Sequence, residues 1–241
     1  MQYKIQATVG PAHINENGCL TLAGMLQFAQ QAATGHCDQL GYDWDTMAEK
    51  GLFWVVIRHK ILIAQLPKLG QNLTLRTWPM PTTRTYYPRM VEALDEAGNV
   101  LFQVVSMWVL MDRDTRTMIL PGKSGIEVNG VLLGGELDMP ASLHPEQREN
   151  DSLWTVTEQD LDINGHANNA KYLLYAENLA GTYGKDHTPA EVTVCYNAEA
   201  RLGQEINLAW SLENDMLCVD GSRQNENGKT DRIFSVKILY K

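Results

Sequence analysis

The sequence has no long apolar run. Its most hydrophobic stretches, 53–57 and 104–111, are strand-sized, well short of the roughly 18 residues that a membrane helix needs. The first residues, Met1-Gln2-Tyr3-Lys4-Ile5-Gln6, lack the apolar segment of a secretory leader. Cysteine is scarce. Cys19, Cys37, Cys195 and Cys218 show no CxxC spacing and no clustering with histidine. No metal site and no disulfide framework is therefore expected, and the four read as free thiols of a reducing, cytoplasmic compartment. Positive charge is in the minority, with 20 Lys and Arg against 29 Asp and Glu, a net charge of −9. That balance argues against general binding to nucleic acid or to an anionic membrane.

What is present is an ordinary globular composition in 241 residues, enough for one large domain or two small ones. Residues 3–9 alternate as a strand. Leu22, Met25, Leu26, Ala29, Ala32 and Ala33 then fall on one helical stripe, with Thr21 placed to cap it. Trp44, Met47 and Ala48 suggest a short second helix. The pattern then changes to strands at 52–65, 72–78, 83–95, 100–112 and 118–120. Glycines and prolines punctuate 121–150 with no persistent period, so it reads as a linker. Afterwards the order repeats: a strand at 152–158, a helix at 168–182, and strands at 190–200, 204–214, 216–223 and 232–240.

The repeat shows in residues too. Lys68-Leu69-Gly70-Gln71 is answered by Arg201-Leu202-Gly203-Gln204, an offset of 202 − 69 = 133. Ile14-Asn15 is answered by Ile163-Asn164, an offset of 163 − 14 = 149. Each half is one long helix with an antiparallel sheet to cover its apolar face. The expected fold is α+β, a double hotdog. Its parts are an N-terminal hotdog at 1–121, a linker at 122–150 and a C-terminal hotdog at 151–241. The chain would be a monomeric pseudo-dimer or a homodimer of such chains.

The densest chemistry lies in Asp162-Ile163-Asn164-Gly165-His166-Ala167-Asn168-Asn169, just ahead of the second helix. In an extended segment Asp162, Asn164 and His166 share one side. Asn168 and Asn169 are good capping residues, and the unpaired N–H groups of a helix start favour a developing negative charge. The same residue types also make an ordinary turn before a helix. With the 149-residue offset, His13, Asn15 and Asn17 stand opposite Asp162, Asn164 and His166. The first half then lacks the acid and the imidazole, which implies one active site per chain.

The run from Leu161 to Tyr172 resembles the acyl-acyl-carrier-protein thioesterases, whose plant members carry D-x-N-x-H-x-N-N-x-x-Y at the start of the second hotdog helix. The family's Y-x-x-E-C element stands here as Tyr196-Asn197-Ala198-Glu199-Ala200. Glu199 matches the acid, while Ala200 replaces the cysteine. Cys195 lies four residues upstream and reads as a packed thiol. The resemblance implies hydrolysis of a fatty acyl thioester on acyl carrier protein, with no cofactor.

In that reading Glu199 is the base, His166 and Asn164 bind water or the carbonyl, and Asp162 orients them. N–H groups near Asn168 and Asn169 would hold the oxyanion. The first half, with Trp44, Trp54, Trp78 and Trp108, would line the acyl pocket, Trp54 in contact with substrate. Arg58, His59 and Lys60, or Arg113, Arg116 and Lys123, would offer a basic surface to the acidic carrier. Two other classes fit the same fold: an acyl-CoA thioesterase or dehydratase, and a non-catalytic acyl-thioester sensor.

Overall fold

The structure, a computed structural model, describes residues 2–162 and 164–241. Ile163, within the polar run and in the proposed match to Ile14, lies outside the described residues. The chain forms two compact units. Unit 1 is Met1–Leu20 with Met25–Pro140, and unit 2 is Thr21–Gly24 with Ala141–Lys241.

Unit 1 opens with strand β1 (Tyr3–Thr8), helix α1 (Leu22–Gln39, its first turn counted with unit 2) and the short helix α2 (Trp44–Glu49). Thr21 Oγ1 accepts the Gly24 N–H at 3.0 Å, as its capping position predicts. Strands β2 (Leu52–Ile63), β3 (Asn72–Pro79), β4 (Tyr87–Leu94), β5 (Val100–Asp112) and β6 (Met118–Ile119) follow. The antiparallel order is β1-β3-β4-β5-β2, with β6 on β5. The strand expected from 83 begins only at Tyr87. Thr83 instead closes a turn, its Oγ1 accepting from the Tyr86 N–H at 3.0 Å. A bulge at Ile57 shifts the β2–β5 register between Val56 and Arg58.

The part of α1 in unit 1 keeps a buried stripe, where Met25 and Ala32 are fully covered. His36 on α1 stacks on Tyr3 of β1, and its Nδ1 meets Arg89 Nη1 of β4 at 3.0 Å. Burial, then the Arg89 charge, pushes the His36 pKa down to about 4, so this imidazole is a neutral acceptor. After the short helix α3 (Pro121–Ser124) the connecting stretch is irregular, as its punctuation predicts. It is nonetheless packed. Ile126 joins Met47, Leu52, Tyr87 and Leu110, and Val131 N–H donates to Pro79 O at 3.0 Å.

Unit 2 has strand β7 (Asn150–Thr155), helices α4 (Asn169–Leu179) and α5 (Gly181–Asp186), and strands β8 (Pro189–Tyr196), β9 (Glu205–Glu213), β10 (Met216–Gln224) and β11 (Thr230–Tyr240). The sheet order is β8-β11-β10-β9-β7, all antiparallel. The single helix expected over 168–182 ends at Leu179, and a second begins at Gly181. The strand expected to reach 200 stops at Tyr196, so Glu199 sits beyond the strand.

Helix α4 packs on its sheet through aromatic rings. Tyr172 lies 5.1 Å from Phe234 of β11 and 5.3 Å from Trp154 of β7, both edge-on. Gly221 of β10 lets this happen, since a Cβ there would come within 2.1 Å of the Phe234 ring. Trp154, Leu173 and Phe234 are almost fully buried, each stabilising the unit by about 1.5–3 kcal/mol through removal of apolar surface.

One buried acid in α4 departs from this pattern. The Glu177 carboxyl accepts the Leu22 N–H, while its Oε2 is buried with no hydrogen-bond partner among the described residues. Burial raises its pKa from 4.5 to about 7. Between those values the folded protein holds a proton that the unfolded chain has released, so stability falls as pH rises through the window and is flat above it. The loss is on the order of 3 kcal/mol. Glu177→Gln should remove it, so the variant should gain on the parent in thermal melts from pH 5 to pH 7 and level off above. Parallel curves would show that Glu177 does not carry this dependence.

Candidate active site

The polar run does not form an extended segment. The chain reverses between Asp162 and His166: Asp162 N–H donates to His166 O at 2.8 Å, and Gly165 N–H to Asp162 O at 3.0 Å. Gly165 adopts φ +74°, a conformation glycine takes without strain. Asp162 Oδ1 accepts from Asn164 N–H at 2.8 Å and from His166 N–H at 3.4 Å, the hydrogen bonding of an Asx turn. The three side chains therefore do not share one side. Asn164 is at the exposed tip, its amide 3.4 Å from Asp162 Oδ2. His166 turns the other way, into a bridge with Arg201.

That bridge brings the imidazole to the acid. His166 Nε2 lies 3.0 Å from Glu199 Oε2. Ala167 N–H donates to Ala200 O at 2.8 Å, which fixes the two segments side by side. Arg201 Nη2 is 3.9 Å from the same Glu199 oxygen, and Arg223 Nη1 donates to the Glu199 carbonyl at 3.1 Å. The structure thus pairs His166 with Glu199 and Asp162 with Asn164, and it joins the pairs through the main chain.

The start of α4 is more occupied than its sequence suggested. Asn168 caps the helix, its Oδ1 accepting from Ala170 N–H at 2.9 Å. Asn168 N–H donates to Asp160 O and Lys171 N–H to Asn168 O, both at 2.8 Å. Among the described residues, the Asn169 N–H is left with no acceptor. Tyr196 Oη donates to Asn169 O at 3.2 Å.

Two residues that sequence reasoning passed over hold this loop. Asp160 is buried and accepts from Thr157 N–H and Oγ1 at 2.9 Å, with Trp154 Nε1 at 3.4 Å and Lys171 Nζ at 3.6 Å. Burial opposes its charge, but these donors win and keep its pKa below the usual carboxylate value. Tyr172 Oη accepts the Ala200 N–H at 3.0 Å. Burial first, then the Glu199 and Asp162 charges, raise its pKa to about 12. The signal for Asp160 was the Thr157-x-x-Asp160 spacing of a capping box.

Unit 1 contains the same loop and corrects the alignment of the halves. Asn15 Oδ1 accepts from Asn17 N–H and Cys19 N–H, both at 3.0 Å, and Gly18 has φ +70°. Leu20 N–H donates to Pro67 O at 2.8 Å, and Cys19 bridges Lys68. The true offset ahead of the helix is therefore 162 − 15 = 147, confirmed by 165 − 18 = 147. After it the bridge gives 201 − 68 = 133. The 149-residue pairing, with His13 opposite Asp162, is two residues out. It matched an Ile-Asn pair, whereas the register is set by an Asx residue three before a left-handed glycine. Correctly aligned, Asn15 does for its turn what Asp162 does. The differences are Cys19 for His166, and at the 133 offset Leu66 for Glu199 and Pro67 for Ala200.

Other sequence candidates fall elsewhere. Trp54 packs in unit 1 edge-on to Tyr87 at 4.9 Å, within the Met47–Leu110 cluster. His59 is not a surface cation, because its burial pushes the pKa down to about 3. Arg113 and Arg116 lie over the rings of Trp44 and Phe53. Cys195 is buried and bonded, taking Leu143 N–H at 3.4 Å and facing Ala141 O at 3.6 Å. The four cysteines are free thiols. Among the described residues there is no cluster of His, Cys, Asp and Glu that could hold a metal, and no helix long and apolar enough to cross a membrane.

Comparison with known proteins follows the same division. The acyl-ACP thioesterase N-terminal domain model matches residues 1–120, and the C-terminal domain model matches 143–241. A chloroplastic palmitoyl-acyl carrier protein thioesterase of Gossypium hirsutum is 24% identical over 62% of this chain and 40% of its own length. A chloroplastic oleoyl-acyl carrier protein thioesterase of Arabidopsis thaliana is 23% identical over 92% of this chain and 67% of its own. The chain thus spans well under half of the first relative. The fold is that of an acyl-ACP thioesterase from Bacteroides thetaiotaomicron, with TM-score 0.89 at 21% identity over 100% and 98% of the two chains. The 12:0-ACP thioesterase of Umbellularia californica superposes with TM-score 0.82 at 17% identity over 100% and 97%. Both units are hotdogs, and with family models matching 1–120 and 143–241 this chain belongs to the acyl-ACP thioesterase family.

Proposed function

We propose that this chain hydrolyses fatty acyl-acyl-carrier protein to free fatty acid and carrier thiol, with the chemistry in unit 2. The observation that carries the reading is the 3.0 Å contact between His166 Nε2 and Glu199 Oε2 beside the start of α4. Glu199 takes a proton from a water as that water attacks the thioester carbonyl. His166, donating from Nε2, holds the carboxylate in place and orients the water. The Asn169 N–H is the helix donor available to the oxyanion, and Asn164 at the loop tip reaches the substrate from the solvent side. The tetrahedral intermediate collapses with cleavage of the C–S bond, and the proton held by Glu199 passes to the leaving thiolate. No covalent acyl-enzyme is required, consistent with Ala200 in the family's cysteine position and with the buried Cys195 thiol.

The N-terminal hotdog, 1–121, serves the acyl chain in this reading, with Trp54 on the substrate. The residues from 122 to 150 connect it to the catalytic hotdog at 151–241. The enzyme works in the cytoplasm on a soluble carrier. The test is release of free fatty acid from palmitoyl-carrier protein, set against the same acyl group on CoA. The carrier-protein substrate should be turned over faster, and equal or reversed rates would favour the acyl-CoA alternative.

Asp162→Asn should be mild beside changes at Glu199. The amide of Asn15 already holds the equivalent turn, so the loop survives. A turnover loss much smaller than that of Glu199→Gln is expected in the same assay. A loss as large would make Asp162 the base.

A further inference from the structure

We propose that Tyr172 and Arg223 are positioning residues, which grip the main chain on either side of the Glu199–Ala200 peptide so that the Glu199 carboxylate stays on His166. The proposal rests on the hydrolase reading above. Glu199 needs such a grip because it lies past the end of β8, between the Ala198 N–H bond to Ile233 O and the Ala167 N–H bond to Ala200 O, neither of which holds the Glu199–Ala200 peptide itself.

Two bonds supply it. Tyr172 Oη, itself wedged by Trp154 and Phe234, accepts the Ala200 N–H at 3.0 Å. Arg223 Nη1 donates to the Glu199 carbonyl at 3.1 Å, and the same nitrogen reaches Gln204 Oε1. Ala200 is fully buried, so the peptide cannot turn without disturbing the core.

The duplication provides an internal control. Both units close the loop with the bond from Ala167 to Ala200 or from Leu20 to Pro67, so that bond belongs to the fold. Among the described residues the two grips occur in unit 2 alone. Tyr172 corresponds to Met25 (172 − 147 = 25), which has no hydroxyl, and Ala200 to Pro67, which has no N–H to give. At the 133 offset Leu208 answers Leu75, and their partners Gly221 and Ala93 align this strand as 221 − 93 = 128, which places Arg223 opposite Asp95 (223 − 128 = 95), a residue with no side-chain donor. Unit 1 therefore keeps the loop and lacks Glu199, His166 and both grips together. A bond needed only for folding would have reason to appear in both.

Tyr172→Phe keeps the ring and removes the acceptor. Arg223→Met removes the second grip, and Arg223→Lys retains a donor of shorter reach. The full chain is assayed on palmitoyl-carrier protein, with the ¹⁵N signals of the His166 ring and the thermal melt recorded alongside. A small displacement of a catalytic group costs on the order of 10- to 100-fold, so kcat should fall by that factor in Tyr172→Phe and Arg223→Met. KM should hold, and Arg223→Lys should recover part of the loss. The His166 ring signal should shift as Nε2 loses its carboxylate. Parent-like kcat in Tyr172→Phe, or slowed turnover with an unchanged ring signal, would overturn the proposal. Should the parent hydrolyse no acyl thioester, the function fails, while the ring signal still decides whether Tyr172 and Arg223 place Glu199. If Tyr172→Phe does not fold, the two Arg223 variants decide the question by the same readouts.

Discussion

Glu199→Gln should lower turnover of acyl-carrier protein by a factor on the order of 10²–10⁴, the usual contribution of a general base. The amide keeps the size and shape of the side chain and can still accept from His166 Nε2. It cannot take a proton from water. Substrate affinity should survive, because the acyl chain is assigned to the other hotdog. His166→Ala should fall in the same range, since it breaks the same pair from the other side. The double variant should be scarcely worse than either single one, because residues acting as a unit are non-additive. Initial rates with saturating palmitoyl-carrier protein settle this. A Glu199→Gln enzyme working at the parent rate would remove Glu199 as the base and reopen the case for Asp162.

Asp160→Ala should be the most destabilising change near the site, by about 3–5 kcal/mol, as expected when one partner of a buried ionic network is deleted. The carboxylate serves Thr157 twice and neighbours Trp154 Nε1, Tyr175 Oη and Lys171 Nζ, all of which would lose an acceptor. Its pKa is held low in the folded state. The folded protein thus binds fewer protons than the unfolded chain near the ordinary carboxylate range, and the stabilisation is present above that range and fades as pH falls through it. The parent should therefore lose its advantage over Asp160→Ala on acidification. Chemical denaturation at pH 7 and pH 4 measures both effects. A difference under about 1 kcal/mol at pH 7, the scale of exposed ion pairs, would mean the network is solvated and Asp160 is not its anchor.

Periodicity and an internal repeat made the two hotdogs legible. The stripe Leu22–Ala33, the helix pattern over 168–182 and the alternating strands are local patterns, the Leu-Gly-Gln echo is a direct repeat of residues, and both kinds of signal survive in one dimension. The candidate residues were legible too: Asp162, Asn164 and His166 stood out as a dense polar run ahead of a helix start, whereas Glu199 was pointed to by the resemblance of Tyr196–Ala200 to the family's Y-x-x-E-C element. Their arrangement was not. Alternation suggested that three of them share a side, but a glycine at φ +74° and an Asx turn reverse the chain there. Whether the segment extends or turns depends on acceptors that Asp162 and Asp160 supply across the loop. The meeting of His166 with Glu199 spans 33 positions and depends on a backbone bridge to Arg201, which no spacing encodes. The grips of Tyr172 and Arg223 are likewise products of sheet register. Sequence by itself determined which elements form and which side chains are available. Tertiary structure decided which of them touch, because hydrogen bonds between distant segments are set by packing and register rather than by local preference.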